Sequence, residues 1–201
     1  MSVETLDAFA QRFRRVAEIP VNHRVTWQRY YVVRRFRPDP GDAILDMGSY
    51  LGNNLIRYAE DGHEIDGIEI ADCYNQTAKA RIAALSEEAR LRIRIFGTLI
   101  ETFESDREYD RVLCCEVLEH VLDPVAILEK AQECLRPGGE MFIGVPAALC
   151  RTDARVVTSP DLEAWTDKAG FRYKRFEQIQ PENVNGTKEW GVPQLLCFAR
   201  K

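Results

Sequence analysis

From Ala43 onward the hydrophobic period of the chain switches back and forth, and that alternation limits the folds open to it. Short apolar runs rich in strand-forming residues give way to longer stretches whose apolar side chains recur every three or four positions. AILDM (43–47), EIDGIEI (64–70), LRIRIF (91–96), DRVLCC (110–115) and EMFIGV (140–145) read as strands. Helices are predicted over 52–61, about 72–85 and 123–135, and Pro-Gly-Gly at 137–139 introduces the fifth strand. Strands separated by helices connect by right-handed crossovers and build a mostly parallel sheet. Another helix is predicted from Ser159-Pro160-Asp161, with Ser159 as N-cap and Pro160 at the first helical position. FRYKRFEQ (171–178) and QLLCFAR (194–200) have only residues 179–193 between them, with no helix, and so pair antiparallel. The expectation is an α/β fold with a seven-stranded, mostly parallel sheet, one antiparallel strand, and helices on both faces.

Ahead of this lies a different region. Leu6, Phe9, Phe13 and Val16 mark an amphipathic helix over 6–17, and 24–37 reads as a second helix ended by the Pro38-Asp39-Pro40-Gly41 turn. The chain therefore divides into a helical cap, 1–40, and a main domain, 41–201. At 201 residues it is long enough for one substantial core. The net charge of −5 gives no reason to expect a nucleic-acid partner. Residues 1–38 nevertheless hold eight Arg against Glu4, Asp7 and Glu18, a local excess of +5. Such a segment either covers an anionic substrate or is a solvated helix face.

The opening MSVETLDAFAQRF lacks the basic start and apolar middle of a signal peptide, and no apolar run approaches the ~20 residues of a membrane span. A cytoplasmic protein that does not enter the membrane is expected. Cys73, Cys114, Cys115, Cys134, Cys150 and Cys197 form no CxxC and no zinc spacing, so they read as small apolar groups.

In a parallel sheet, ligands sit beyond the carboxyl ends of the strands where the strand order reverses. The first strand ends in Asp46-Met-Gly48-Ser49-Tyr50-Leu-Gly52. Gly48 permits a sharp turn and Gly52 permits close approach of a ligand to the next helix. About 20 residues on, Glu69 ends the second strand, where an acid can accept both hydroxyls of a ribose. There is neither GxGxxG nor GxxxxGK[ST], which removes the dinucleotide and P-loop readings. A nucleoside ligand without a pyrophosphate remains.

Asp46/Gly48/Gly52, then Glu69, then DRVLCCEVLEHVLDP (110–124), then LRPGGEMFIGVP (135–146), in this order, resemble the class I S-adenosylmethionine-dependent methyltransferases, in particular small methyltransferase domains containing EVLEH. The likeness covers about residues 41–200 and implies their Rossmann-like fold, with S-adenosylmethionine as cofactor and S-adenosylhomocysteine as product. By position it implies that Asp46, Gly48, Ser49, Tyr50 and Gly52 line the methionine half. Glu69 would hold the ribose, Ile70 would lie against the adenine, and Thr98 and Leu99 would flank the adenine edge. The sequence departs from the family pattern twice: Tyr50 replaces a common glycine, and Thr98 stands where an Asp often accepts from the adenine amine.

Glu116-Val-Leu-Glu119-His120 follows the fourth strand, beside the place where a methyl group would project. His120, with an ordinary pKa of about 6.5, is the candidate catalytic base, and Glu116 faces the cofactor's amino-acid tail or supports its loop. Glu116, Glu119 and His120 also resemble the ExxEH metal ligands of small-RNA 2′-O-methyltransferases and of ubiquinone-pathway O-methyltransferases. Positions i and i+4 can share a helical face, but residues 146–158 supply no His to complete the RNA-enzyme set, and no metal site is expected. A structural brace is the third reading of this block.

Trp27, Arg29, Tyr30 and Tyr31 could close over the cofactor or pack as core, and Trp190 could stack on a ring or anchor its loop. Arg151 and Arg155 lean toward an acidic small-molecule acceptor. The resulting expectation is methyl transfer from S-adenosylmethionine to oxygen, with nitrogen as the alternative atom, of a small metabolite such as a natural product or sugar. A metal-assisted RNA 2′-O-methyltransferase is the competing enzyme. A silent S-adenosylmethionine-binding regulatory subunit is the competing class.

Overall fold

The computed structural model describes residue 5 and residues 35–147, 155–179 and 193–201. They contain seven strands: β1 Ala43–Met47, β2 Glu64–Ile68, β3 Ile93–Phe96, β4 Tyr109–Cys115, β5 Leu135–Pro146, β6 Tyr173–Ile179 and β7 Gln194–Arg200. One sheet results, in the order β3-β2-β1-β4-β5-β7-β6. Every pairing among β1 to β5 is parallel, whereas β7 runs antiparallel to both β5 and β6. One strand is reversed, as the helix-free stretch before it implied. The helices are α1 Asn53–Glu60, α2 Asp72–Ala83, α3 Glu87–Leu91, α4 Pro124–Cys134 and α5 Ser159–Lys168.

Side chains alternate across the strands and build a core on each face of the sheet. Leu45, Met47, Val112, Cys114, Met141, Ile143 and Cys197 share one cluster with Ile127, Leu128 and Ala131 of α4 and Leu162 of α5. Ile44, Leu113, Cys115, Phe142 and Leu196 share the other with Leu55, Tyr58 and Ala59 of α1. Cys114, Cys115, Cys134 and Cys197 are buried, as small apolar groups are, and Cys73 is partly exposed. Among the described residues no helix is long and apolar enough to cross a membrane.

Several local boundaries differ from the sequence reading. Ser86 caps a short unanticipated helix by accepting from the Ala89 N–H, so β3 begins at Ile93 and Leu91 belongs to α3. Thr158, not Ser159, is the N-cap of α5; it forms a capping box with Asp161, which moves Pro160 one position into the helix. Pro-Gly-Gly lies inside β5 rather than ahead of it, because Leu135 pairs with Tyr109 before the register shifts to Glu140 opposite Arg111. Residues 35–37 are turn and coil, so the helix read over 24–37 does not reach its predicted end. The helix over 6–17, Trp27, Arg29, Tyr30, Tyr31, Cys150, Arg151 and Trp190 lie outside the described residues, as does most of the cap 1–40.

One polar group is fully enclosed among side chains from β2, β3 and the start of β4. The Asp66 carboxylate has no solvent exposure. It accepts from Arg94 Nε at 2.9 Å, Arg94 Nη2 at 2.6 Å, Arg107 Nε at 3.1 Å and the Tyr109 hydroxyl at 2.5 Å. Burial, reinforced by the bond to Asp66, pushes the Tyr109 phenol up to about 12. Removing one member of such a network leaves enclosed partners without a counterpart, at about 3 kcal/mol. Asp66→Ala is expected to lower unfolding free energy by roughly that amount, read from the midpoint of a urea titration.

Candidate active site

The turn after β1 is drawn down onto the end of β2. The N–H groups of Gly48 and Ser49 both donate to the Ile68 carbonyl at 2.9 Å, and Gly52 N–H donates to Ser49 O at 2.9 Å. This curvature requires left-handed backbone at Gly48 (φ 79°), Tyr50 (φ 51°) and Gly52 (φ 74°). Gly48 has a second constraint, since a Cβ there would lie 2.5 Å from Val117 Cγ2. The glycine turn and the EVLEH segment are therefore in direct contact. From α2, Arg81 Nη1 donates to Leu51 O and Asn53 Oδ1, both at 2.6 Å, and holds the far side of the loop.

Tyr50 occupies a conformation that costs a side-chain-bearing residue roughly 1–2 kcal/mol. Two contacts offset it. Its N–H donates to Glu69 Oε2 at 3.0 Å, and its ring meets Tyr74 edge-on with centroids 4.4 Å apart. Glu69 uses its other oxygen to accept from Ala71 N–H at 2.8 Å, while its carbonyl accepts from Asn75 Nδ2 at 2.7 Å. Carboxylate oxygens have two lone pairs each, so one carboxylate can serve several donors at once.

Asp46, buried at the end of β1, accepts from Asn54 Nδ2 at 3.1 Å. Ile70 follows Glu69 just beyond β2. Thr98 and Leu99 follow β3, with Thr98 Oγ1 3.3 Å from Thr102 Oγ1. Glu116, left-handed at φ 58°, donates its N–H to Gly144 O at 2.8 Å. All the sequence-predicted site residues thus lie at or just past the carboxyl ends of β1, β2, β3 and β4. Asn54, Tyr74 and Asn75 were missed, because a polar residue in a helix's first turns reads as solvated unless the sheet beside it is known.

The EVLEH block is a turn, not a helix; α4 begins only at Pro124, capped by Asp123. The shared helical face that would align Glu116 with His120 does not exist. Instead His120 N–H closes the turn on Val117 O at 2.9 Å, and its Nε2 lies 3.6 Å from Glu119 Oε1. The Glu119 side chain is 1% exposed and that of His120 is 26% exposed. His63 sits at the other end of the sheet, buried against Asp42 O, and is remote from this edge. Among the described residues, no three or more His, Cys, Asp and Glu side chains are grouped to hold a metal ion. Arg155, expected to greet an acidic acceptor, donates through Nη2 to Val121 O at 2.7 Å and Leu122 O at 3.3 Å. It braces the end of the EVLEH turn.

A family model described as a methyltransferase domain matches residues 22–180. The chain belongs to that family. With the strand order above, it is a class I S-adenosylmethionine-dependent methyltransferase domain, and S-adenosylmethionine is the family's cofactor. The ubiquinone biosynthesis O-methyltransferase of Hydrogenovibrio crunogenus is 29% identical over 120 residues, covering 60% of this chain and 49% of the relative. That of Xanthomonas axonopodis pv. citri is 30% identical over 158 residues, covering 77% of this chain and 63% of the relative. The methyltransferase domain thus spans about half to three-fifths of the length of these relatives. Haemonchus contortus phosphoethanolamine N-methyltransferase 2, solved with S-adenosyl-L-methionine, superposes with a TM-score of 0.68 at 16% identity, covering 86% of this chain and 51% of that one. The [4+2]-cyclase SpnF superposes at 0.69 with 18% identity, covering 87% and 80%. A cyclase among the neighbours shows that the fold alone does not choose the reaction.

The contact between Gly48 and Val117 gives a test of the site's frame. Gly48→Ala is expected to cost about 2–3 kcal/mol, from left-handed strain and crowding together. Part of that cost depends on the valine. In a double-mutant cycle followed by urea unfolding, Val117→Ala should cost measurably less in the Gly48→Ala background than in the parent.

Proposed function

We propose that this domain transfers the methyl group of S-adenosylmethionine to a hydroxyl oxygen of a small aromatic acceptor of the quinone-precursor kind. The observation that carries the reading is the alignment of 60–77% of the chain with O-methyltransferases of ubiquinone biosynthesis. It moves the expected acceptor from a natural product or sugar toward a phenol.

The residues at the sheet edge fit the family's cofactor. Ser49 Oγ is buried beside Gly67 with no hydrogen-bond partner among the described residues, so the cradle offers an unused polar atom. Glu69 brings a carboxylate to the end of β2, the chemistry that ribose hydroxyls call for, and the glycine turn exposes backbone to a close ligand. Asp46, Gly48, Ser49, Tyr50, Gly52 and Glu116 would hold the methionine half. Glu69, Ile70, Thr98 and Leu99 would hold the nucleoside half. Thr98 lacks the carboxylate that would bind the adenine amine with a charge-assisted bond, so Glu69 carries more of the recognition.

When bound, S-adenosylmethionine supplies an electrophilic methyl on a sulfonium. This chain's part is to place the acceptor hydroxyl in line and to take its proton. His120 accepts that proton, and Glu119, 3.6 Å from its Nε2, stabilises the imidazolium that results. Arg155 holds the turn carrying both.

Two substitutions test the division of labour. Glu69→Ala should weaken S-adenosylmethionine binding at least 10-fold by calorimetric titration, in keeping with the loss of one charge-assisted bond. His120→Ala should leave that affinity within about twofold and lower kcat about 100-fold, the usual contribution of a positioned base. Cofactor binding with no turnover of any phenol by the parent protein would favour the silent regulatory subunit instead.

A further inference from the structure

The described molecule contains one buried amide that the fold does not use. Gln194 opens β7 and is 4% exposed, and neither its Nε2 nor its Oε1 has a hydrogen-bond partner. A glutamine whose whole amide is enclosed and unengaged is a net loss to folding unless something else meets it. β7 is interior to the sheet, so an apolar residue there would pack without that loss.

Its position suggests what meets it. Because β7 is antiparallel to β5, its first residue lies at the same edge of the sheet as the ends of the parallel strands. Gln194 pairs with Pro146, the last residue of β5, and with Ile179, the last residue of β6. It is on the same sheet face as Leu196 and Phe142, two residues beyond Gly144, whose carbonyl binds the Glu116 N–H. Gly144 contributes no side chain to the space between. Gln194 therefore stands at the β5–β7–β6 end of that edge, across the sheet from β2 and β3, beside which the nucleoside half is proposed to sit.

We infer that Gln194 is a specificity-determining residue for the acceptor. The inference rests on the methyltransferase reading above. A primary amide presents a donor and an acceptor side by side, so its partner is a molecule with a hydroxyl next to a second oxygen. The second oxygen accepts from Nε2 and its neighbour donates to Oε1. The amide is only 4% exposed, so an acceptor that meets it displaces little water, and an analogue lacking one oxygen leaves half the amide idle. Sites built to pair a substrate hydroxyl reject its absence far more strongly than apolar pockets reject a missing methylene.

The experiment uses the full chain and Gln194→Leu, with Gln194→Glu as the polar counterpart, and reads two quantities. The first is the melting temperature without acceptor. Gln194→Leu should raise it by about 2–4 °C, since an idle amide is replaced by a packed side chain; a fall would show that the amide is structural and would overturn the inference. The second is methylation of catechol and of phenol at saturating S-adenosylmethionine. The parent should prefer catechol at least 10-fold in kcat/KM, and Gln194→Leu should erase the preference through KM while the affinity for S-adenosylmethionine is unchanged. An unaltered preference would overturn the inference too. If the parent binds S-adenosylmethionine but methylates neither compound, the phenolic acceptor of the preceding section fails, and calorimetric binding of catechol against phenol to the parent and to Gln194→Leu then decides the role of Gln194, equal binding by the parent overturning it.

Discussion

The carboxylate of Glu69 is where the segments of the cofactor edge converge. It receives the N–H of Tyr50 from the loop after β1 and the N–H of Ala71 from its own loop, while its carbonyl holds Asn75 at the start of α2. These three bonds fix the relation between β1, β2 and α2 before any ligand arrives. The side chain proposed to meet the ribose is thus already oriented, so binding there would spend little on ordering it. The same bonds explain how a tyrosine is tolerated where the family commonly has glycine. The left-handed backbone at Tyr50 is offset by a charge-assisted bond on one side and by the Tyr74 ring on the other.

The architecture was legible in the sequence because its signals are local and redundant. The switch of hydrophobic period placed all seven strands, and the absence of a helix over 179–193 gave the single reversal. The glycine turn and Glu69 were legible for a different reason: left-handed backbone and an acid at a strand end leave marks in residue type. The turn at 116–120 was misread for an equally physical reason. Glu-x-x-Glu-His carries i, i+4 spacing whether or not a helix forms, and Pro124 with its Asp123 cap starts the helix only afterwards. The cap of α5 was placed one residue late because Thr158 and Ser159 have equivalent hydroxyls, and only the position of Asp161 separates them.

What stayed hidden depends on register across the sheet. Nothing in GVPQLLCFAR marks Gln194 as different from any polar residue at a strand end, and its isolation appears only when β5 and β6 are laid beside it. Arg155 is similar. In sequence it is a positive charge near an expected mouth, whereas in the fold its guanidinium is turned onto the Val121 and Leu122 carbonyls. Long-range hydrogen bonds of this kind have no periodicity and no local composition.

The reversed strand β7 has a further consequence for anything joined to the domain. It starts beside Pro146 at the reactive edge and runs back across the sheet, so that Lys201 N–H binds Gly139 O and its ammonium binds Leu135 O. The chain consequently leaves from the rim opposite the reaction. A tag, a fluorophore or a second protein fused after Lys201 would trail from that rim, with the thickness of the sheet's long axis between it and the incoming acceptor.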